Sequence, residues 1–218
     1  MSYYERYYIL GYMIRLAIET GMRAAELCAL HWEDIKDDNI WIHRQLLKKT
    51  KPLRFYEVLW TKNEKKHEGK GRLFPRSDKI NQILSELKEV QNSLGIKSDY
   101  VFCHQDGSWI TTRHYQSALE TVCKAIGLPK TNNHAIRMYL NIYVFIPLGI
   151  PVTDRARLLV HTVETNLKYY SFESHAYADD ACALLNTLAV PQLYPENVVD
   201  FPTTSKRKAP KSTILRLS

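Results

Sequence analysis

The chain has 218 residues, of which 45% are hydrophobic and 24% charged, a composition typical of a soluble globular protein with one sizeable domain. No apolar run approaches the roughly 18 residues that cross a bilayer, and residues 1–21 are interrupted by charge, unlike a signal peptide. The four cysteines are scattered and never spaced as C-x-x-C. We therefore expect reduced thiols, with neither a zinc site nor a disulfide framework.

The net charge of +7 is concentrated in one segment of the chain. Residues 44–72 contain ten Lys or Arg and three Glu, which accounts for the whole excess, so the rest of the chain is neutral on balance. Clustering of this kind favours contact with a polyanion, although a solvated lysine-rich loop has the same composition. The candidate polyanion contacts are Arg44, Lys48, Lys49, Lys65, Lys66, Lys70 and Arg72.

The first half of the chain combines helices with a small sheet. Hydrophobic periodicity predicts a helix over residues 2–19, ending near Gly21, and a short helix over residues 23–30. Three segments rich in aromatic and β-branched residues then predict strands of one small antiparallel sheet: 39–47, 54–60 and, as a possible third strand, 71–75. The basic stretch "TKNEKKHEGKG" would form the turn between the last two strands.

The second half is mainly helical. The clearest helix covers residues 78–94, with Ser77 as its N-cap and Gly95 just past its end. Residues 100–103, "YVFC", predict a short extended segment. Further helices are predicted at 111–127, 133–145, 153–159, in the segment that ends in two tyrosines, and at 177–188. The predicted fold class is α+β, mainly α-helical, with a small antiparallel β-sheet.

The composition changes at Pro191. Residues 191–218 contain four prolines and show no helical periodicity, so we expect a tail that is flexible or exchanged between protomers. Residues 1–190 are expected to form one domain.

Three short segments place reactive side chains on otherwise apolar helical patterns. "TGMRAAEL" carries Arg23 and Glu26 three positions apart, and "NNHAIRMYL" carries His134 and Arg137 with the same spacing. The third segment, "LLVHTVETNLKYYSF", carries a histidine nine residues before the second of its paired tyrosines. Taken singly, such pairs are more often surface salt bridges or structural contacts.

Taken together, the three segments suit phosphoryl transfer to a tyrosine. Two guanidinium forks can hold the non-bridging oxygens of a phosphodiester and offset the charge that builds in the transition state. A tyrosine, whose ordinary pKa is about 10, needs a base or a cation to become nucleophilic at neutral pH, and a histidine can serve. The departing sugar hydroxyl needs a proton, which a lysine can give.

In this order the motifs resemble those of the catalytic domain of the tyrosine recombinases, the phage-integrase family. The shared pattern is "TG-x-R-x-x-E", a lysine on a β-turn, "H-x-x-R", a second histidine and a tyrosine about nine residues later, over roughly residues 10–185. The resemblance implies site-specific cleavage and rejoining of double-stranded DNA through a 3′-phosphotyrosyl intermediate. It implies no metal, no nucleotide or other small-molecule cofactor, no membrane, a cytoplasmic location, and a homo-oligomer, a tetramer, assembled on DNA.

The same resemblance assigns roles to individual residues. Arg23 and Arg137 would clamp the scissile phosphate, and His134 and His161 would bond its oxygens. Glu26 fills the acidic position beside the first arginine and would orient the site. The lysine is matched best by Lys62, while Lys65 and Lys66 are near enough to compete.

Of the two adjacent tyrosines, Tyr170 lies at the spacing that the family shows from its second histidine. In a helix neighbouring side chains point about 100° apart, so only one of Tyr169 and Tyr170 can face a given phosphate. We also expect the face that Tyr170 shares with Val163 and Leu167 to be turned toward the protein body. Tyr170 is thus the predicted nucleophile.

The sequence departs from the family pattern at two points. Val160 stands where the family usually has glycine before the second histidine. The N-terminal helical domain with which family members close around DNA is absent here, so we expect either a fragment or a different way of clamping. Two alternatives stay open, namely a type IB topoisomerase, which shares the chemistry without exchanging partners, and a catalytically silent DNA-binding remnant.

Overall fold

The structure, a computed structural model, describes the backbone of residues 3–61 and 70–170 and the side chains of residues 9–61 and 70–168. Lys62, Lys65 and Lys66, the predicted helix at 177–188 and the tail from residue 191 lie outside the described residues.

Helices make up most of the described chain, as predicted. The α-helices are α1 (Tyr3–Thr20), α2 (Ala24–Cys28), α3 (Asp78–Ser93), α4 (Thr112–Ala125), α5 (Asn133–Tyr139), α6 (Val152–Leu159) and α7 (Val163–Tyr170). The strands are β1 (Asn39–Ile42), β2 (Gln45–Thr50), β3 (Leu53–Val58) and β4 (Arg72–Pro75). The predicted N-cap of α3 is confirmed, because the Ser77 hydroxyl accepts the Ile80 N–H.

The strands form two separate antiparallel pairs within the described chain. β2 and β3 make a hairpin in which Gln45 pairs with Val58, whereas β4 pairs with β1, so that Ile42 lies opposite Arg72. The prediction of a single strand over 39–47 is therefore wrong, and so is the pairing expected across the basic turn. The strand breaks after Ile42 because the next two side chains both turn toward Asp34.

The core is built around α1. Met13, Leu16 and Ala17 on its buried face pack within a cluster to which α3, α4 and α5 also contribute. Across residues 3–61 and 70–170, no helix combines the length and apolar character that a membrane span requires. Three of the four cysteines, Cys28, Cys103 and Cys123, are described, and each is free and buried.

The predicted helix over 133–145 is present but changes its hydrogen bonding midway. α5 runs into a π-helical segment, Leu140–Phe145, after which the Ile146 N–H donates to the Asn141 carbonyl at 3.0 Å, five residues back. Such π-helical turns are rare and occur frequently at functional sites. Here the turn directs Asn141 into the interior, below α7.

Candidate active site

Arg23 and Glu26 form a buried pair at the start of α2. The backbone N–H of Arg23 donates to Glu26 Oε2 at 2.9 Å, and its guanidinium donates to Glu26 Oε1, also at 2.9 Å. Glu26 is only 1% exposed, whereas the Arg23 side chain is 20% exposed. The pair is thus not an ordinary surface salt bridge, and it holds the Arg23 guanidinium in one orientation at the protein surface.

Arg137 crosses from α5 to two other segments of the chain. Its guanidinium donates to the carbonyls of Gly21 and Leu159 and lies 3.2 Å from His161 Nε2. Gly21 is required for this approach. It has a φ of +59°, and a Cβ at this position would lie 2.8 Å from the Leu159 side chain. Arg137 is 3% exposed and is held firmly in place.

The C-terminal end of α6 brings the two arginines together. The Val160 carbonyl accepts Arg23 Nη2 at 2.8 Å, and the preceding carbonyl, that of Leu159, accepts Arg137. Carbonyl groups at a helix C-terminus carry partial negative charge, which favours cations there. Two guanidinium groups are therefore oriented by consecutive carbonyls of one helix end.

This helix end is a Schellman turn with valine in the glycine position. The Val160 N–H donates to the Arg157 carbonyl at 3.2 Å, and the His161 N–H donates to the Ala156 carbonyl at 2.8 Å. Val160 has φ 50° and ψ 58°, the left-handed conformation that glycine adopts without strain and a β-branched residue does not. The departure noted in the sequence is thus a strained residue whose carbonyl holds Arg23.

Both predicted histidines lie at this cluster. Burial, followed by the charges of Arg137 and Arg23, lowers the pKa of His161 to about 3, so its ring is neutral at physiological pH. Because Arg137 can only donate, His161 Nε2 accepts and the ring proton sits on Nδ1. His134 is more exposed than His161. The part of its ring that is shielded from water, followed by the charge of Arg137, lowers its pKa as well.

Arg72 is a third guanidinium at the site, which the sequence did not indicate. It donates to both carboxylate oxygens of Glu26, from Nη1 at 3.1 Å and from Nη2 at 2.7 Å. Burial alone would raise the pKa of Glu26, but Arg72, Arg23 and Arg137 lower it to about 2. No motif contains Arg72, because its contact depends on the pairing of β4 with β1.

Asn133 has no role in the predicted site. It connects the start of α5, which carries Arg137, to the segment that carries Arg23. Its Nδ2 donates to the Met22 carbonyl at 2.7 Å, next to Arg23, while its Oδ1 accepts the Tyr115 hydroxyl at 2.7 Å. α5 therefore begins at a fixed position relative to the turn that precedes α2.

The helix that ends at Tyr170 begins two residues after His161. Among the side chains of this helix that the structure describes, residues 163–168, Asn166 is the one that is fully buried, and its Nδ2 donates to Asn141 Oδ1 at 3.3 Å. Val163 and Leu167 are 39% and 52% exposed, so the prediction that they face the protein body is wrong. The buried position carries a polar amide instead, which hydrophobic patterning does not reveal. Tyr170 is the last residue of α7, one turn after Asn166, and its side chain lies outside the described residues.

A family model described as the phage integrase family matches residues 3–171. The chain belongs to the phage integrase family. Among curated proteins no sequence matches it.

Solved structures of integrases and recombinases share the fold of this phage integrase family member. The Tn1549 transposon integrase, in complex with circular intermediate DNA, is 21% identical, with a TM-score of 0.62 over 78% of this chain. XerA recombinase is 17% identical, with a TM-score of 0.57 over 84% of this chain. The chain spans 57% of the Tn1549 integrase and 62% of XerA. At these identities the similarity establishes the fold.

Two of the predicted polyanion contacts of this family member are engaged elsewhere. The Arg44 side chain is 13% exposed and is bound by Glu33, Asp34 and Glu57. Arg72 is 9% exposed and is bound by Glu26. Because carboxylates already bind both guanidinium groups, we expect these two arginines to be less available to a polyanion than the exposed lysines. Sequence composition counts charges but does not show their partners.

The remaining described candidates are exposed. Lys48 and Lys49 lie on β2, where Lys49 is directly opposite Arg54 on β3, and Lys70 comes directly after residues 62–69, which lie outside the described residues. A pocket of about 460 Å³ is lined by Thr61, Arg72 and Val160 among others. The residue before Lys62 therefore lies beside the arginine cluster. Within the described ranges, no group of three or more His, Cys, Asp or Glu could hold a metal ion.

Proposed function

We propose that this chain is the catalytic domain of a site-specific DNA recombinase, the integrase or excisionase of a mobile genetic element. One observation carries the proposal. The guanidinium groups of Arg23 and Arg137 are held by the consecutive carbonyls of Val160 and Leu159, with His161 next in the chain. Two oriented forks at one point suit the non-bridging oxygens of a phosphodiester, and family membership adds support.

Arg23 would meet the phosphate first, because its side chain is the more exposed of the two. Arg137 is buried, and His161 Nε2 already accepts from its guanidinium. A phosphate would therefore reach Arg137 when His161 turns its Nε2 from the guanidinium to a phosphate oxygen. Since that oxygen can only accept, His161 must then carry a proton on Nε2. We expect phosphate binding to move the His161 proton or to add one.

In the proposed reaction the phenol oxygen of Tyr170 attacks the scissile phosphorus. A phosphorus–oxygen bond forms to Tyr170, the bond to the 5′ oxygen of the next nucleotide breaks, and the phenolic proton leaves through a histidine. The departing 5′ oxygen takes up a proton from Lys62. The reverse attack by a 5′-hydroxyl rejoins the strand. His134 and His161 would bond the phosphate oxygens, and Glu26 orients Arg23.

The DNA is proposed to pass over the β2–β3 hairpin and the basic turn. Lys49 and Arg54 face each other across the hairpin, and like charges directly opposite destabilise a strand pair unless an anion lies between them. Lys48 and Lys70 are exposed as well, and Lys65 and Lys66 belong to the same basic segment. Phosphate contacts of this kind make affinity fall steeply with salt.

The proposed partner is double-stranded DNA, on which the chain would act as a homotetramer in the cytoplasm, at the nucleoid of a prokaryote or on phage DNA. Structures of the Tn1549 integrase with circular intermediate DNA and of XerH with its difH substrate support this choice of partner. Exchange of strands between two duplexes requires four active sites, which supports the tetramer.

Covalent trapping on a nicked suicide DNA, made from the ends of the element that flanks the gene, tests the proposal. We expect a covalent adduct that mass spectrometry maps to Tyr170. Tyr170→Phe should abolish the adduct, while the matched variant Tyr169→Phe should retain some. An adduct on Tyr169 would overturn the assignment of the nucleophile.

Other outcomes separate the alternatives. Relaxation of a plasmid that lacks any specific site would favour a type IB topoisomerase. A salt-sensitive band shift without an adduct would favour a DNA-binding remnant, unless an added N-terminal DNA-binding domain restores cleavage. Specific cleavage at the element ends is the result that we expect.

A further inference from the structure

Glu26 is shared unequally between two arginines. Arg72 donates to both of its carboxylate oxygens, whereas the Arg23 side chain donates to Oε1 alone. The shortest of these contacts, 2.7 Å, belongs to Arg72. Because a bidentate fork is the stronger arrangement, the negative charge of Glu26 is neutralised mainly by Arg72.

This division matters for the phosphate. A carboxylate paired with a single guanidinium cancels most of that guanidinium's field at a nearby anion, and burial strengthens the cancellation because water screens little. With a second cation on Glu26, the carboxylate can hold Arg23 in place while Arg23 retains its net positive charge. Without Arg72, Glu26 and Arg23 would form a neutral pair.

The backbone fixes Arg72 at this position. Gly71 precedes it with a φ of +58°, and a Cβ there would lie 2.5 Å from the His43 Cβ. Arg72 also stands opposite Ile42 in the β1–β4 pair. The chain therefore delivers Arg72 to Glu26 from a close-packed turn and a paired strand, not from a mobile surface loop.

We propose that Arg72 is a positioning residue, which neutralises Glu26 so that Arg23 keeps its charge for the scissile phosphate. The inference rests on the proposed function. Arg72 acts through Glu26 and does not itself contact DNA. This role differs from the direct polyanion contact that its place in the basic segment suggested.

The first test compares Arg72→Met with a matched control, Arg15→Met, in the full chain. Arg15 also pairs with a glutamate, Glu86, but at the surface and away from the site. In single-turnover cleavage of the nicked DNA, Arg72→Met should slow adduct formation roughly 10- to 100-fold, as a misplaced or weakened catalytic group does. The DNA affinity of Arg72→Met should change less than about threefold, and so should the cleavage rate of Arg15→Met.

A double-variant cycle with Glu26→Gln decides between neutralisation and direct contact. Without the carboxylate there is nothing to neutralise, so Arg72→Met in the Glu26→Gln background should change the cleavage rate less than about threefold. If Arg72→Met lowers the cleavage rate by the same factor in the wild-type and Glu26→Gln backgrounds, the inference is overturned. The double variant removes both partners of the Arg72–Glu26 pair, so neither is left buried without the other, and it stays informative if Arg72→Met alone does not fold.

The pH dependence gives a readout that a purely structural role would not produce. Arg72 is the largest of the influences that lower the Glu26 pKa, so its removal raises that pKa. As pH falls through the raised pKa, Glu26 becomes neutral and releases Arg23. The rate deficit of Arg72→Met relative to wild type should therefore shrink toward acid pH, and a constant deficit would contradict the inference.

An NMR titration of the Glu26 side-chain carboxyl keeps this test independent of cleavage. If the wild-type chain forms no adduct, the proposed recombinase activity fails, yet the titration still reports whether Arg72 holds Glu26 charged. A Glu26 carboxyl that titrates at the same pH in wild type and in Arg72→Met would overturn the inference even in an active recombinase.

Discussion

Two regions of this molecule pair arginine with carboxylates, and their charge balances are opposite. At the end of α6, Arg23, Arg72 and Arg137 surround the single carboxylate of Glu26. Beside the β2–β3 hairpin, one arginine faces three carboxylates instead: Glu33, Asp34 and Glu57.

The difference in balance separates a site for an anion from a structural contact. Among the residues that the structure describes, the α6 region brings three guanidinium groups to the one carboxylate of Glu26, a ratio that suits binding of an anion. The Arg44 region has no positive charge to spare, and its carboxylates raise the pKa of Arg44 against the effect of burial. Both regions combine arginine with a carboxylate that is almost fully buried, Glu26 in one and Asp34 in the other, and they differ in the ratio of guanidinium groups to carboxylates.

The largest expected effect comes from Arg137→Lys. A lysine lacks the planar fork and cannot hold the Gly21 and Leu159 carbonyls together with a phosphate. Adduct formation on the suicide DNA should fall roughly 10²- to 10³-fold, as for loss of one preorganised donor. A rate within about threefold of wild type would remove Arg137 from the phosphate clamp.

In contrast to Arg137→Lys, Arg44→Met should lower the stability of the fold and leave the cleavage rate almost unchanged. Its removal leaves Asp34 and Glu57 as buried or half-buried negative charges without their guanidinium, which should cost about 3 kcal/mol in the free energy of unfolding. Urea denaturation measures this loss. Cleavage at temperatures where the variant is folded should stay near the wild-type rate. A stable variant that no longer cleaves would show that Arg44 serves the DNA after all.

The pKa of His161 reports on the positive charge of the neighbouring arginines, which together with burial lowers it. Its folded-state pKa of about 3 lies below the ordinary 6.5, so the unfolded chain binds the proton first as pH falls. The stability that His161 contributes is complete above about pH 6.5 and is lost progressively toward pH 3. Glu26, whose pKa is lowered from 4.5 to about 2, adds its own loss only below about pH 4.5.

Between about pH 7 and 5, the wild type should therefore lose up to about 2 kcal/mol more than His161→Asn in the free energy of unfolding. His134 and His104, whose pKa values are also lowered, remain in both proteins and serve as an internal reference. Equal losses in the two proteins would mean that His161 is not held neutral.

The smallest effect is expected for Val160→Gly. Glycine relieves the left-handed strain at φ 50° but increases the freedom of the unfolded chain, so the net gain in unfolding free energy should be about 1 kcal/mol. Thermal unfolding measures it, with Val163→Gly, at the first residue of α7, as a destabilised comparison. If Val160→Gly is more stable but cleaves more slowly, the strain contributes to holding Arg23.

Within each motif, local spacing determined which residues share a helix face, and the family resemblance predicted that the three motifs meet at one site. Spacings of three placed Arg23 with Glu26 and His134 with Arg137 on shared helix faces. Periodicity and caps placed α1, α3 and α4 within a few residues. Tyr170 is a prediction of the same kind, since only its backbone position is described.

Tertiary structure decided the partners that lie far apart along the chain. Arg72 and Glu26 are 46 residues apart, and Asn141 and Asn166 are 25 apart. No short pattern records such pairs, because they follow from how strands and helices pack. For the same reason composition placed Arg44 and Arg72 among the DNA contacts. Whether a charge is available depends on which carboxylates the fold brings against it, and that is known only once the chain is folded.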